Sequence, residues 1–451
     1  MLFQSFDFLI FISLFILLMT VCPRKLYLSY ITMASLLFYG WWYPPYLILM
    51  VIMVISAWGF THLVSRKPHL LTLSVVLILC PLVFFKYTEF LLNNLSSVFG
   101  ITVPEITWAL PLGISFVTFT IISLLVDTVK LKRNPPDFFE ISTYITFFPH
   151  LIAGPILRAG NTIPQFKLFK IDWNVFPAAL TLFSVGMLKK ILIADPIGLH
   201  VDQAYANSAL LTTPEAALAI VAFGIQIYCD FSAYTDMAIA LALMFGIKFP
   251  ENFKSPYKQT SITATWACWH MTLTHWLRDY VLIPLYAQTK HINRYLAVIV
   301  TMLVSGLWHG ANWTFVLWGL SHGLIIWFES ITGYSNFTAR QKNIVKMLFI
   351  GLNFIIWSLL SVMFRADTMQ TAFEIWVGLF RLPSTWHIPD LRIALLCVIV
   401  LALHKYDQAN WILKKSTTFN KYMLVPVTLV IIIGSSMLFY GRPQSFYYFD
   451  F

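Results

Sequence analysis

The chain has 451 residues, of which 59% are hydrophobic and only 11% charged, whereas a soluble globular protein carries roughly 25% charged residues. That composition excludes a soluble globule, and several apolar runs approach the roughly 20 residues needed to cross a bilayer. The net charge of +10 does not point to nucleic acid, because the basic residues come in small clusters between apolar runs, as cytoplasmic loops beside anionic headgroups do. Cys22, Cys80, Cys229, Cys268 and Cys397 form no close pair, which indicates neither a disulfide framework nor a zinc cage. The expectation is an all-α polytopic integral membrane protein, resident in the lipid bilayer.

In chain order, "MLFQSFDFLIFISLFILLMTV" lacks a positive n-region and a convincing cleavage site, and reads as a retained first span. Arg24 and Lys25 follow it, Arg66 and Lys67 follow the third apolar run, and Lys130, Lys132 and Arg133 follow a further pair of runs. Every second connection is basic, which places the N-terminus outside and these loops in the cytoplasm, with Lys86 on the wrong side. "FFPHLIAGPILRAG" (147 to 160) is apolar but punctuated by Pro149, Gly154, Pro155 and Gly160, so a re-entrant segment or broken helix is expected there. The runs 216 to 247 and 295 to 328 would be about 48 and 51 Å long as single helices. Each must be strongly tilted, broken or two helices, the second breaking near Gly306, Gly310 and Asn312. Roughly 11 to 14 membrane-embedded segments are expected from span length. The connections are short, and 1–451 is expected to form one membrane domain.

Polar groups within apolar runs are costly unless paired or watered, and so are candidates for function. Gln226, Asp230 and Tyr234 share one helix face in "QIYCDFSAYTDMAIA", and Ser232 and Asp236 share another. The two carboxylates need partners: Arg158, the end of a broken helix, or a histidine. "TATWACWHMTLTHWLRDY" (263 to 280) places Trp266, Trp269, His270, Leu273, Trp276, Leu277 and Tyr280 in one stripe. The spacing predicts an amphipathic interfacial helix with His270 in its aromatic face. His270 and His275 are five apart with no third ligand near, so no metal site is expected. His309 lies in a run without Lys, Arg, Asp or Glu. As a general base it could take a proton from an acceptor hydroxyl or thiol that then attacks an acyl thioester; alternatively it is a neutral histidine bonded to a backbone carbonyl. His322 is expected to pack beside Gly319 and Gly323.

Together these stretches resemble the membrane-bound O-acyltransferase superfamily, and most closely its alginate O-acetylation branch. The resemblance rests, in order, on "LPLGISFVTF" and Asp127, "FFPHLIAGPILR", "GMLKKILIAD", "DFSAYTDMAIALALMFGIKFPENFKSPY", "WHMTLTHWLRDYVLIPL", "SGLWHGANWTFVLWGLSHG" and "SFYYFDF". The most motif-rich part is about 110 to 330. The resemblance implies a ring of tilted helices around a thin centre, with re-entrant and interfacial helices. It further implies a cytoplasmic tunnel for an acyl donor that meets a cavity open to the outside. His309 would be the catalytic histidine and His270 a supporting one. Asp230, Tyr234, Asp236, Trp269, Trp308, Asn312 and Trp313 are supporting or cavity-lining candidates. Relatives usually carry two arginines where Ala267 and Cys268 stand, and often Gln and Tyr where Thr120 and Leu124 stand.

The resulting expectation is a multi-pass O-acyltransferase of the cytoplasmic membrane, with no bound cofactor or metal. It would move acetyl from cytoplasmic acetyl-CoA towards an extracytoplasmic polysaccharide, alginate-like or another exopolysaccharide, through an exported partner acyltransferase. The rival readings are D-alanyl transfer from a carrier protein to teichoic acid, a proton-coupled transporter or channel using Asp230, Asp236 and His309, and a non-enzymatic membrane scaffold.

Overall fold

The structure, a computed structural model, describes residues 1–104, 108–288, 293–387, 389–440 and 446–447. Every regular element among the described residues is helical. In chain order the α-helices are α1 (Phe6–Val21), α2 (Tyr27–Gly40), α3 (Pro45–Arg66), α4 (Leu71–Leu82), α5 (Thr88–Phe99), α6 (Ile114–Lys130), α7 (Phe138–Thr146), α8 (Ala159–Phe166), α9 (Phe176–Leu188), α10 (Asp195–Ala206) and α11 (Thr213–Met244). They continue as α12 (Ile262–Trp266), α13 (Met271–Leu277), α14 (Ile283–Gln288), α15 (Arg294–His309), α16 (Trp313–Thr332), α17 (Tyr334–Ala339), α18 (Asn343–Arg365), α19 (Met369–Gly378), α20 (Leu391–Leu403), α21 (Ala409–Ser416) and α22 (Lys421–Tyr440). Three π-helical turns interrupt this order, at Val83–Tyr87, Lys189–Ala194 and Arg278–Leu282.

Among the described residues, seven helices are long and apolar enough to cross a membrane, and three shorter apolar helices accompany them. The number is below the expected 11 to 14 segments because much apolar sequence is folded into short or irregular pieces. The segment from Phe147 to Leu157 is the clearest case: it contains no helix, yet every residue in it is buried. Irregular backbone at membrane depth is tolerated where protein, not lipid, surrounds it. The run 216 to 247 behaves differently from two of its expected alternatives. It lies almost wholly in α11, an unbroken helix of 32 residues whose most apolar window is 83% buried inside the protein. A helix clad by protein has no need to match the lipid thickness by breaking.

The helices group into two compact units, one of Met1–Ser184, Tyr234–Pro250 and Ser416–Asp450, the other chiefly of Val185–Ala233 and Glu251–Lys415. In the first, α2 packs on α7, and α3 and α4 pack on α6. Thr32 and Thr143 share a hydroxyl hydrogen bond of 3.0 Å between α2 and α7. Phe148, in the irregular segment, meets Phe8, Phe11, Phe15 and Phe38 at ring centroid distances of 5.3 to 6.3 Å. In the second unit the α15–α16 hairpin is the tightest pairing, and α18 packs on α16.

Candidate active site

The sequence of the α15–α16 hairpin explains its closeness. A Cβ on Gly306 would overlap the Phe315 carbonyl oxygen, and one on Gly319 would overlap that of Met302. The two helices therefore touch backbone to backbone, which only small residues allow. Asn293 begins α15 by accepting the Leu296 N–H at 2.9 Å. The helix ends at His309 because Gly310 is extended, with φ −158° and ψ 145°. Asn312 then begins α16, accepting the Thr314 N–H at 3.0 Å and donating to the Asp367 carbonyl at 2.9 Å. The expected break between the two helices is present, three residues long.

His309 is only 2% exposed. Its ring lies close to edge-on against Trp308, Trp318 and Phe364, with centroids 4.8, 5.2 and 4.9 Å away. Four residues on, past the end of α15, Trp313 is 55% exposed. Trp308 also reaches His270, at 6.1 Å. The structure thus brings His309, Trp308 and His270 into one aromatic cluster.

The stretch 263 to 280 is not one amphipathic helix. It is divided into α12, a turn, α13 and a π-helical turn. His270 stands at the division, in the left-handed region with φ 41° and ψ 50°. For a residue other than glycine this costs roughly 1–3 kcal/mol and persists only where the surroundings impose it. Asn252 supplies that imposition. Its backbone carbonyl accepts the Met271 N–H at 2.9 Å. Its side-chain oxygen accepts from the Thr272 N–H at 3.2 Å, the Thr272 hydroxyl at 3.0 Å and His270 Nδ1 at 3.1 Å. Because an amide oxygen only accepts, His270 donates to it from a protonated Nδ1. At the other end of the segment, the buried Glu329 accepts the Ile262 and Thr263 N–H groups at 2.9 and 2.8 Å and begins α12. Sequence reasoning missed both Asn252 and Glu329. Their only signal was a polar residue beside or within an apolar run.

Trp269 is 3% exposed and packs on Phe253 and Trp357, each at 5.1 Å. His322 does more than fill space beside its glycines. Its Nδ1 accepts the Trp266 indole N–H at 3.3 Å, and its ring lies 4.8 Å from Trp318 and 5.1 Å from Trp357.

Asp230 finds a partner that was not among those expected. Lys190 Nζ lies 2.6 Å from Asp230 and 2.8 Å from Asp195. Beside it, Lys189 reaches Asp407 at 2.8 Å and Ser232 at 3.0 Å, and the Tyr228 hydroxyl donates to Asp407 at 2.9 Å. Burial pushes the Asp407 carboxyl up, but the Lys189 ammonium, the Tyr228 hydroxyl and His404 together hold it below its usual range. Removing one member of such a buried cluster costs roughly 3–5 kcal/mol, mostly by stranding the other charge. Tyr234 and Asp236 belong to the first unit. There Tyr234 stacks on Phe3 at 4.8 Å and meets Phe446 edge-on at 4.9 Å, an aromatic core position.

The sequence profile of the membrane-bound O-acyltransferase family matches residues 29–366. The chain is 35% identical to the probable alginate O-acetylase AlgI of Azotobacter vinelandii, covering 89% of this chain and 82% of that one. It is 31% identical to the peptidoglycan O-acetyltransferase of Helicobacter pylori over 94% and 91% of the two chains. A teichoic acid D-alanyltransferase of Streptococcus thermophilus is 27% identical over 47% of this chain and 55% of its own. A multi-pass helical chain that matches the family's profile over residues 29–366 and is 31% and 35% identical to two O-acetylating relatives along most of its length belongs to the membrane-bound O-acyltransferase family and is an O-acyltransferase.

Proposed function

We propose that the protein takes an acetyl group from acetyl-CoA on the cytoplasmic side and passes it, at His309, to a hydroxyl acceptor on the other side. The observation that carries this reading is the placement of His309, a titratable ring at a helix end, enclosed by aromatic side chains yet four residues from an exposed tryptophan. An imidazole nitrogen of His309 takes the acceptor's hydroxyl proton as the oxygen attacks the thioester carbonyl carbon. The tetrahedral adduct collapses, the C–S bond breaks, and the imidazolium returns the proton to the departing thiolate. His270 supports this step through Trp308, held in a single tautomer by Asn252.

The names of the two relatives matched over most of the chain support acetyl as the group and a polysaccharide as its destination. Basic connections at every second turn support a cytoplasmic membrane protein with its N-terminus outside. The short connections leave little surface for selecting a polymer, which supports delivery to a separate exported acyltransferase. The similarity to a D-alanyltransferase covers about half of the chain and motivates D-alanyl transfer from a carrier protein as the second reading.

The test uses purified protein in proteoliposomes, with acetyl-CoA on one side and polymer, with or without an exported partner, on the other. Acetylation that needs the partner supports the relay. Efficient acetylation by the purified chain alone excludes it. A preparation that uses a D-alanyl carrier and ignores acetyl-CoA replaces the first reading with the second.

A further inference from the structure

Within the first unit, a cavity of about 400 Å³ opens between the end of α6, the loop after it, α7 and α8. Its volume is in the range of small-molecule sites. Its polar lining includes Asp127, Arg133, Asn134, Glu140 and Lys167, and Gly160 forms part of its wall.

The charges in this lining are not all free. Glu140 is fully engaged: it takes the Lys167 ammonium at 2.8 Å and the Asp137 N–H at 3.0 Å. The Asp137 side chain in turn accepts the Glu140 N–H at 2.8 Å, closing a capping box at the start of α7. Asp127 shares its surroundings with Arg158, both lying within electrostatic reach of the Tyr144 hydroxyl. Arg133 is different. Its backbone N–H bonds the Thr128 carbonyl at 3.2 Å, but among the described residues its guanidinium has no carboxylate partner. It is nevertheless seated: a Cβ on Gly160 would overlap Arg133 Nη1. The guanidinium therefore lies on bare backbone at the first turn of α8, a turn that no side chain caps. A side chain at position 160 would have to displace the end of Arg133.

We propose that this cavity binds a phosphate ester, clamped by the Arg133 guanidinium with the Asn134 amide beside it. A guanidinium offers a planar fork of donors that matches two phosphate oxygens at once. With Lys167 neutralised by Glu140, Arg133 is the lining cation that has no carboxylate partner among the described residues. The phosphate could belong to a phospholipid headgroup or to a soluble phosphate-bearing molecule, because the clamp reads only the shared group. The proposal does not rest on the acetyl reading.

The test uses the full chain, purified and delipidated in detergent, with thermal unfolding followed against two titrants. One is dihexanoyl phosphatidylglycerol, with dihexanoylglycerol as its phosphate-free control. The other is adenosine 3′,5′-bisphosphate, with adenosine as control. At least one phosphate-bearing probe raises the melting temperature of the wild type while its control does not. Arg133→Gln weakens that probe's apparent Kd about tenfold or more, as loss of a charged hydrogen bond of roughly 1.5–3 kcal/mol implies. Arg133→Lys weakens it less. Gly160→Ala weakens it as well without changing any charge, which a diffuse surface attraction would not do. The exposed position of Arg133 keeps the unliganded melting temperature of Arg133→Gln at the wild-type value, which serves as the folding check. A response to the lipid alone identifies a headgroup site, and a response to the bisphosphate alone identifies a soluble ligand. The proposal is overturned if neither probe stabilises the wild type, or if Arg133→Gln and Gly160→Ala leave the affinity unchanged.

Discussion

Two stretches of the same hairpin, 306–310 and 319–323, read Gly-Leu-Trp-His-Gly and Gly-Leu-Ser-His-Gly. Their glycines serve the same purpose. Gly306 and Gly319 face each other, Gly310 lies on the Phe315 ring, and Gly323 lies on Ile299 and Met302. Their histidines do not. His322 sits in the middle of α16, with its Nδ1 occupied by the Trp266 indole. His309 is the last residue of α15, where the chain turns out through Gly310 to an exposed tryptophan. The same local sequence yields a locked histidine in one place and a histidine near an open end in the other. Which role falls to which is decided by where the helix stops.

Four experiments break or sharpen this comparison. The largest effect is expected of His309→Ala, which should reduce acyl transfer by the purified protein at least about 10²-fold, as loss of a general base does, with its melting temperature near that of the wild type. Near-normal turnover would sink the assignment. Next comes Gly306→Ala, whose new methyl must push α16 away. Overpacking of this kind costs roughly 1–3 kcal/mol, and because it displaces the segment that carries His309, turnover should fall more than stability. Gly323→Ala meets the Ile299 Cα at 3.0 Å and should be milder in both measurements; the reverse order would mean that the contact of Gly306 with α16 does not position His309. His322→Ala should lower the melting temperature, by stranding the Trp266 N–H, while keeping turnover of the folded fraction within about tenfold, well short of the loss expected at His309. A stable but inactive His322→Ala protein would erase the distinction between the two histidines.

The smallest effect extends the locked case to His404, outside the spans. Its Nε2 accepts the Tyr257 N–H at 3.0 Å, and burial pushes its pKa down to about 4. An unfolded histidine titrates near 6.5. Between these values the unfolded chain binds the extra proton, so this contribution to stability is complete above about pH 6.5 and is lost as pH falls towards 4. His404→Asn keeps an acceptor without the charge. Its melting temperature should therefore fall less between pH 7 and 5 than that of the wild type, and an equal fall would show that His404 is not the titrating group.

The features that were legible in the sequence are those carried by local chemistry. Glycines inside an overlong apolar run marked the break after His309, and prolines and glycines marked the irregular segment after Phe147. The regular stripe of tryptophans in 263 to 280 misled, because a helical period also arises by chance in a segment rich in aromatics. What shapes that segment is Asn252 and Glu329, contributed from 18 residues before His270 and from 67 residues beyond Ile262. No pattern of spacing announces such partners. The same holds for Asp230, whose countercharge Lys190 lies 40 residues earlier.

The π-helical turn at Lys189–Ala194 has a consequence for how this chain tolerates insertion and deletion. Residues five apart lie about 140° apart around an α-helix, yet Lys190 and Asp195 meet at 2.8 Å, and the Asp195 N–H bonds the Lys190 carbonyl in the i to i+5 register. In effect the turn holds one residue more than an α-helix would. Removing any one of Ile191, Leu192, Ile193 or Ala194 would make Lys190 and Asp195 an ordinary i, i+4 pair and leave the helix before and after the gap in nearly the same phase. Lys190 could then still reach Asp195, because residues four apart share a helix face. The same one-codon deletion in an uninterrupted α-helix would swing its two halves by about 100°. This stretch should therefore tolerate the loss of one residue better than the helices on either side of it, while the buried Ala194 tolerates enlargement poorly.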